Sequence, residues 1–266
     1  MERLEQIFET YAWYHSVGNV VDESARVRFV CDVEHPNIWV ANHMSRVRVS
    51  TEAEIDQLLR DADRVFAHCT HRMAIVDSLT PDPFIGRLVL DGYTELTPTL
   101  QMVLDGPLSR DRVEAAESSG HEVQPVVSDG DWDTLYQLAR ANHLEGSSSH
   151  HRHFDEAVTR SMVAGYRTKT AVSTFFLARC DGVACGYGAS VIGPYGMGIV
   201  EDLFTARAYR RRGIATRIIA RAVEHARDAG MGPMLIGPHV SEPPKALYAA
   251  LGFVPQGVTR QYLLER

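Results

Sequence analysis

The sequence predicts an α/β (α+β) fold: a mixed central sheet flanked by helices, in which one full domain follows a truncated, degenerate copy of itself. Three observations predict it. An apolar strand-like segment, an arginine-rich turn with one glycine, and an amphipathic helix follow one another between residues 198 and 228. Apolar periodicity gives the C-terminal half the order β-α-α-β-β-β-α-β-α-β-β. Finally, the chain resembles itself weakly at an offset of 160 residues.

The turn reads Arg210-Arg211-Arg212-Gly213-Ile214-Ala215-Thr216. A helix start already carries partial positive charge from its unpaired amides, so acidic residues are favoured there and arginines are not. Three arginines make sense if an anion sits at the helix mouth. Gly213 then lets the backbone approach that anion. Taken alone, the cluster reads as readily as a solvated helix end. Its context favours the anion site, because Ile214, Ala215, Ile218, Ile219, Ala222, Val223 and Ala226 form one helical stripe behind it. Gly230 stops that helix.

With 266 residues, 45% of them hydrophobic and 23% charged, the chain has room for one large domain or two smaller ones with a real core. A net charge of −7 argues against a general nucleic-acid binder and fits a cationic small substrate. Of 27 basic residues only Lys169 and Lys245 are lysines. Cys31, Cys69, Cys180 and Cys185 form no Cys-x-x-Cys pair, so neither a zinc site nor a disulfide framework is expected. The N-terminus lacks the apolar core of a signal peptide, and no apolar run is long enough to span a bilayer. The expectation is a cytoplasmic protein with no membrane partner.

At the 160-residue offset, residues 74–83 fall on residues 234–243 without a gap, and Pro83 meets Pro243, Gly92 meets Gly252, Gln101 meets Gln261 and Leu104 meets Leu264. Both copies read strand, proline-containing loop, short helix ending at glycine, strand. They differ where chemistry would be. Tyr248 falls opposite Leu88, and the arginine turn falls opposite residues 50–56, an ordinary helix start with Ser50 as N-cap and acids in the first turn. Residues 1–108 are therefore read as a degenerate half, 109–120 as a linker, and 121–266 as the working domain.

Along the second half, residues 123–127 read as a strand. A helix capped by Ser128 or Asp129 runs to about Ala141, followed by a polar loop over 143–153 and a helix over 154–166. Strands at 170–179 and 183–192 flank an Asp181-Gly182 turn. A further strand at 197–205 feeds the arginine turn. Beyond the long helix come a strand at 234–238, a helix at 244–251 and two terminal strands.

The Arg-x-x-Gly-x-Ala turn, followed by Leu247-Tyr248-Ala249-Ala250-Leu251-Gly252-Phe253, resembles the pyrophosphate loop and the Leu-Tyr-x-x-x-Gly-Phe signature of the GNAT N-acetyltransferase superfamily. The likeness runs from near Gly120 to the end of the sequence. It implies a GNAT fold preceded by a truncated GNAT-like domain in tandem. It also implies acetyl-CoA as cosubstrate, no metal, and transfer of the acetyl group to a primary amine by direct attack on the thioester.

Carried over by position, Leu203, Phe204 and Thr205 would give main-chain contacts to the pantetheine arm. Arg210, Arg211, Arg212, Gly213, Ile214, Ala215 and Thr216 would cradle the pyrophosphate. Tyr248 would be the general acid to the leaving thiolate, because a phenol stays protonated at neutral pH yet yields its proton to a more basic thiolate. Glu201 is the preferred base, with Asp202 the alternative base or a contact to a cationic substrate, since neighbours on a regular strand face opposite ways. Where many relatives carry a cofactor-contacting asparagine seven residues before the tyrosine, this chain has Ser241. Among His143, His150, His151 and His153 no carboxylate or cysteine completes a ligand set, so a solvated loop is expected rather than a metal site. His143, Glu145 and His153 are candidates to touch the acceptor. The expected partner is a small-molecule amine. A protein lysine or N-terminal acetyltransferase, and a non-catalytic CoA-binding protein, are the alternatives. A further expectation is that the N-terminal half binds a ligand or mediates a homodimer.

Overall fold

A computed structural model describes residues 2–145 and 155–266. The chain forms two compact units, but they do not follow its sequence halves. The first is residues 1–100 together with 257–266, and the second is 101–256. The first unit runs α1 (Arg3–Ser16), β1 (Val20–Glu23), β2 (Arg28–Cys31), β3 (His43–Ser45), α2 (Glu52–Val65), β4 (His71–Val76), α3 (Asp82–Leu90) and β5 (Thr94–Glu95). The chain then enters the second unit with β6 (Thr99–Leu104), α4 (Arg110–Glu117), β7 (Glu122–Pro125), α5 (Asp129–Leu144), α6 (Glu156–Thr168), β8 (Ser173–Cys180) and β9 (Val183–Ile192). β10 (Gly198–Thr205), α7 (Ile214–Asp228), β11 (Met234–Ile236) and α8 (Pro244–Leu251) complete it. The last strand, β12 (Val254–Glu265), carries the chain back to the first unit.

The first unit's sheet has the order β1-β2-β3-β4-β12, with β5 also on β12. Met44, Ala74, Val76 and Tyr262 face a core closed by Ile55, Leu58 and Ala62 of α2 and by Phe84 and Leu88 of α3. Four charged side chains tie α1 down. Glu9, though only 8% exposed, bonds Arg28 at 2.6 Å and Arg46 at 2.8 Å, and both arginines also reach Glu23. A carboxylate buried to that degree is tolerable because it is paired twice. α2 opens at Thr51 rather than Ser50, since the Thr51 hydroxyl donates to Glu54 Oε2 at 2.8 Å.

The second unit's sheet has the order β6-β11-β10-β9-β8-β7, with β10 and β11 parallel and the remaining pairs antiparallel. α5 and α6 cover one face through Trp132, Leu135, Leu138, Val163 and Tyr166 against Phe175, Leu177, Tyr187 and Phe204. Ile214 and Ile218 of α7 pack with Ala178, Cys180 and Cys185 of β8 and β9. Burying an isoleucine side chain contributes on the order of 2 kcal/mol, so the α7 stripe is a principal fastening of that helix. Ser128 starts α5 by accepting the Asp131 amide at 3.1 Å, while Asp131 accepts the Ser128 amide at 3.1 Å.

Three expectations need correction. Residues 109–120, expected as a linker that could be helical in part, lie within the second unit, where 110–117 form α4 and an Arg217–Glu117 pair at 2.8 Å fastens it to α7. The two expected terminal strands are one strand, β12, and it belongs to the first unit. The boundary at 108 is also displaced. β6, the closing strand of the first sequence copy, pairs with β11, while β12, the closing strand of the second copy, pairs with β4. Met234 meets Leu104, and its counterpart Ala74 meets Tyr262, the counterpart of Met102. The two copies have exchanged their last strands, with partners displaced by two residues.

A chain cut to residues 109–266 therefore lacks β6 and leaves β12 without β4. It is expected to be insoluble, or to unfold without a cooperative transition, where the full chain melts cooperatively. A soluble fragment with the melting temperature of the full chain would contradict the exchange.

Candidate active site

β10 and β11 pair only at Gly198–Met234, Ile199–Leu235 and Val200–Ile236. There β11 ends, while β10 continues to Thr205. The edge of β10 that faced β11 therefore runs on past Val200 with no β11 residue opposite. Its other edge stays on β9, but the register shifts. Glu201 lies opposite Ala189 and Phe204 opposite Tyr187, so Asp202 and Leu203 share the single intervening residue, Gly188. Such a bulge bends the strand and breaks its alternation. Asp202 takes φ 53°, a left-handed conformation that costs a non-glycine residue roughly 1–2 kcal/mol. Gly188 has to be glycine, because a Cβ there would lie 2.7 Å from Ile218 Cγ2.

The bulge removes the strand alternation on which the choice between Glu201 and Asp202 rested. Both carboxylates act on Lys169 at the end of α6. Glu201 is half-buried, and its Oε2 accepts the Asp202 amide at 3.4 Å. Burial first, and the Asp202 charge second, push its carboxyl up to about 8, with Lys169 opposing. Asp202 is held differently, accepting the Tyr166 hydroxyl at 2.7 Å.

Tyr248 lies on α8 and is 6% exposed. Its phenol is raised by burial, then by Glu242, then by Glu201. Glu201 is thus among the charges that act on the Tyr248 phenol. Glu242 was not among the sequence candidates. Its own carboxyl is raised by burial, with His239 opposing. An acid six residues ahead of the tyrosine, in the loop entering its helix, was the available signal.

At the arginine turn, Arg211 has φ 65° and Gly213 φ 83°, and α7 begins at Ile214 with no acidic residue in its first turn. Arg211 and Arg212 are exposed, while Ile214 and Thr216 are buried. The Arg212 carbonyl accepts from His121 Nε2 at 2.9 Å, and its guanidinium lies over the Tyr209 ring at 5.5 Å. Gly213 has a second reason to be glycine, since a Cβ would sit 3.1 Å from Ala116 Cβ and 3.2 Å from Ala116 Cα on α4.

Several sequence candidates are placed differently from expectation. Arg210 turns back from the helix mouth, donating to the Thr205 carbonyl at 2.9 Å and pairing with Glu145. Glu145 also accepts the Arg207 amide at 3.2 Å, so it fastens the turn after β10. His143 is not in a loop. It lies in α5, 8% exposed, with Nδ1 2.7 Å from Thr159 Oγ1, and burial lowers its pKa. His153, with His150 and His151, lies outside the described residues. Ser241 is exposed in the turn before α8. Leu203, Phe204, Thr205 and Ala215 occupy the expected places on β10 and in the first turn of α7. Among the described residues no three His, Cys, Asp or Glu side chains are grouped as a metal site. No helix among them is long and apolar enough to cross a membrane.

Residues 132–253 match the Acetyltransferase (GNAT) family. No curated protein matches the sequence. Among solved structures, a conserved protein of unknown function from Staphylococcus epidermidis ATCC 12228 superposes with a TM-score of 0.71 at 13% identity, over 94% of this chain and 95% of that one. A GCN5-related N-acetyltransferase from Kribbella flavida gives 0.69 at 16% identity, over 98% and 95%. A tandem GNAT protein from the clavulanic acid biosynthesis pathway gives 0.53 at 16%, over 79% and 69%. At these identities the likeness is one of fold, and for the first two it extends over nearly the whole chain.

Gly213→Ala puts a side chain on a left-handed residue and against the α4 backbone. It is expected to destabilise the protein by about 1–3 kcal/mol in urea unfolding, and an unchanged midpoint would refute this account of the turn.

Proposed function

Because residues 132–253 form an acetyltransferase domain of the GNAT family, we propose that this protein transfers an acetyl group from acetyl-CoA to the primary amine of a small molecule. The observation that carries the reading is the parting of β10 from β11 after Val200 and Ile236, with Glu201 and Tyr248 beside it.

The residues present fit such a cosubstrate. The free edge of β10 offers main-chain donors and acceptors to an extended, amide-containing arm. The mouth of α7 has unpaired amides, no acid in its first turn and two exposed arginines, which suits a pyrophosphate. Leu203 and Phe204 would hold the arm, and Thr205 only in part, because Arg210 already occupies its carbonyl. The amides of residues 211–216 would hold the pyrophosphate. Bound acetyl-CoA supplies an activated acyl group and a thiol leaving group.

The chain's own residues handle the protons. An amine attacks only when neutral, so the acceptor ammonium has to give up a proton. Glu201, with a carboxyl near 8, is matched to that transfer at neutral pH. A carboxylate of ordinary pKa would be too weak a base. Tyr248, its phenol raised by burial, stays protonated throughout and gives its Oη proton to the departing sulfur. Carboxylates at 201 and 202 on the open part of β10 would favour a cationic amine over an anionic acceptor.

Two predictions follow from these roles. With an amine selected from a panel by CoA release, kcat/KM is expected to climb about tenfold per pH unit and level off above about pH 8. The direction follows from Glu201, because its active form is the deprotonated one. Glu201→Gln should abolish that limb and lower the plateau by about 10²–10⁴-fold. A profile identical in the variant would remove Glu201 from the reaction. Tyr248→Phe is expected to lower kcat by roughly 10²-fold or more while leaving acetyl-CoA affinity in calorimetry unchanged. Full activity in that variant would deny Tyr248 the role of acid, and failure of the wild-type protein to bind acetyl-CoA at low salt would overturn the whole reading.

A further inference from the structure

Two residues of the arginine turn, Arg211 at φ 65° and Gly213 at φ 83°, have left-handed backbone. The peptide that joins Arg212 to Gly213 lies between them. A trans peptide is planar, so its carbonyl and its amide hydrogen point opposite ways. Whichever way the Arg212 carbonyl turns, the Gly213 amide turns the other. A peptide beside glycine can rotate as a unit at little steric cost, because glycine accepts either sign of φ. An anion at the mouth of α7 therefore depends on how this one peptide is set, since an amide attracts it and a carbonyl repels it.

A side chain 91 residues away in sequence holds that peptide. His121 Nε2 lies 2.9 Å from the Arg212 carbonyl oxygen. A carbonyl only accepts, so Nε2 carries the hydrogen and the ring is the donor. The histidine is 8% exposed, which limits competition from water for the bond. Its backbone is held on both sides. In the turn that ends α4, the Ser119 hydroxyl donates to the Ala116 carbonyl at 2.5 Å and the Gly120 amide to the Glu117 carbonyl at 3.1 Å. Immediately afterwards β7 begins, with Glu122 opposite Arg179 of β8. α4 is itself fastened to α7 through Glu117 and Arg217, and its Ala116 lies against Gly213. His121 precedes the segment 132–253 that matches the family, so a stretch outside that segment supplies it.

We propose that His121 is a positioning residue for acetyl-CoA: by taking the Arg212 carbonyl it turns the Gly213 amide toward the pyrophosphate, and so presets the turn before the cosubstrate arrives. This role rests on the reading of residues 211–216 as the pyrophosphate cradle. It is a role in preorganisation. A turn free to flip would for part of the time present the Arg212 carbonyl to the anion, and its affinity would fall by that fraction. One net hydrogen bond biases such an equilibrium by about 3- to 10-fold. The Arg212 guanidinium is anchored separately, over the Tyr209 ring at 5.5 Å, so the histidine acts on the backbone of residue 212 and not on its side chain.

The test reads that peptide directly. Arg212-Gly213 is the one Arg-Gly pair in the sequence. A whole chain labelled with ¹³C at arginine carbonyls and ¹⁵N at glycine amides therefore gives a single carbonyl–amide correlation, from this peptide. In the wild type, CoA is expected to move the Gly213 amide resonance and to leave the Arg212 carbonyl resonance nearly in place. His121→Phe keeps a ring and loses the donor. It is expected to shift the Arg212 carbonyl upfield in the free protein and to weaken CoA in calorimetry by about 3- to 10-fold. His121→Gln, whose side-chain amide can donate, is expected to restore most of both. Should His121→Phe not fold, the wild-type titration decides the matter, because a preset turn cannot change its carbonyl as much as its amide when CoA binds. The inference is overturned if CoA moves the two resonances equally or moves neither, if His121→Phe leaves the carbonyl in place, or if His121→Gln does no better than His121→Phe. Equal CoA affinity in the wild type and His121→Phe would sink this inference and leave the acetyl-CoA reading standing. The expected shifts in a protein that acetylates none of a panel of amines would sink the enzymatic reading and leave the role of His121 standing.

Discussion

The site depends on the parting of two parallel strands. Up to Val200 and Ile236 the ladder between β10 and β11 is regular. Beyond that point one edge of β10 has main-chain amides and carbonyls with no β11 residue opposite. Backbone polar groups inside a domain need a partner, and a bare sheet edge is a template for an added strand. An extended arm carrying amides is the kind of ligand that completes such an edge. The bulge at Asp202 and Leu203 belongs to the same constraint, because it bends β10 while keeping it on β9. The glycine at 188 is what lets α7 lie close enough to support the bend from behind.

The exchange of closing strands ties the parting to the rest of the chain. β11 is only three residues long, and it is held on its far side by β6, which comes from the first sequence copy. A short parallel strand with one flank partly open needs that second neighbour. β12 makes the reciprocal contribution, adding six register pairs to β4. Each unit is therefore incomplete as a sequence half, which gives the N-terminal copy a structural reason to exist even though its helix start at Thr51 and Glu54 is acid-capped and suits no anion.

What the sequence revealed and what it hid divide along a physical line. Elements marked by local chemistry were legible. The Asp181-Gly182 turn puts two consecutive residues at φ 51° and 79°, and β9 and α8 have the bounds that periodicity and proline placement predict. The arginine turn and Tyr248 were legible for the same reason. Adjacent competing signals misled by small amounts: Ser50 and Thr51 can both cap a helix, and only Thr51 has its glutamate at the right spacing. His143 looked like loop because polar residues surround it, yet packing against Thr159 draws α5 on to Leu144. The strand exchange left no local trace, since β6 and β12 are equally good strands whichever sheet they join. Nor did the bulge, because aspartate tolerates a left-handed backbone without announcing it.

The bulge matters most for the chemistry, because it turns a question of sequence into one of electrostatics. On a regular strand, Glu201 and Asp202 would be separated by geometry and either could be the base. Brought together, they are separated by their surroundings instead. Asp202 accepts the Tyr166 hydroxyl at 2.7 Å. Glu201 accepts a long bond from the Asp202 amide, and burial disfavours its charge. A carboxyl raised by its surroundings is suited to exchange protons near neutrality, which is the ground for proposing Glu201 as the base. Tyr248 completes the series. Its phenol is raised by burial, then by Glu242 and then by Glu201, so under the proposed roles a proton taken by Glu201 would make the phenol a readier donor to the sulfur. Under those roles the two transfers would be coupled through the field the groups share.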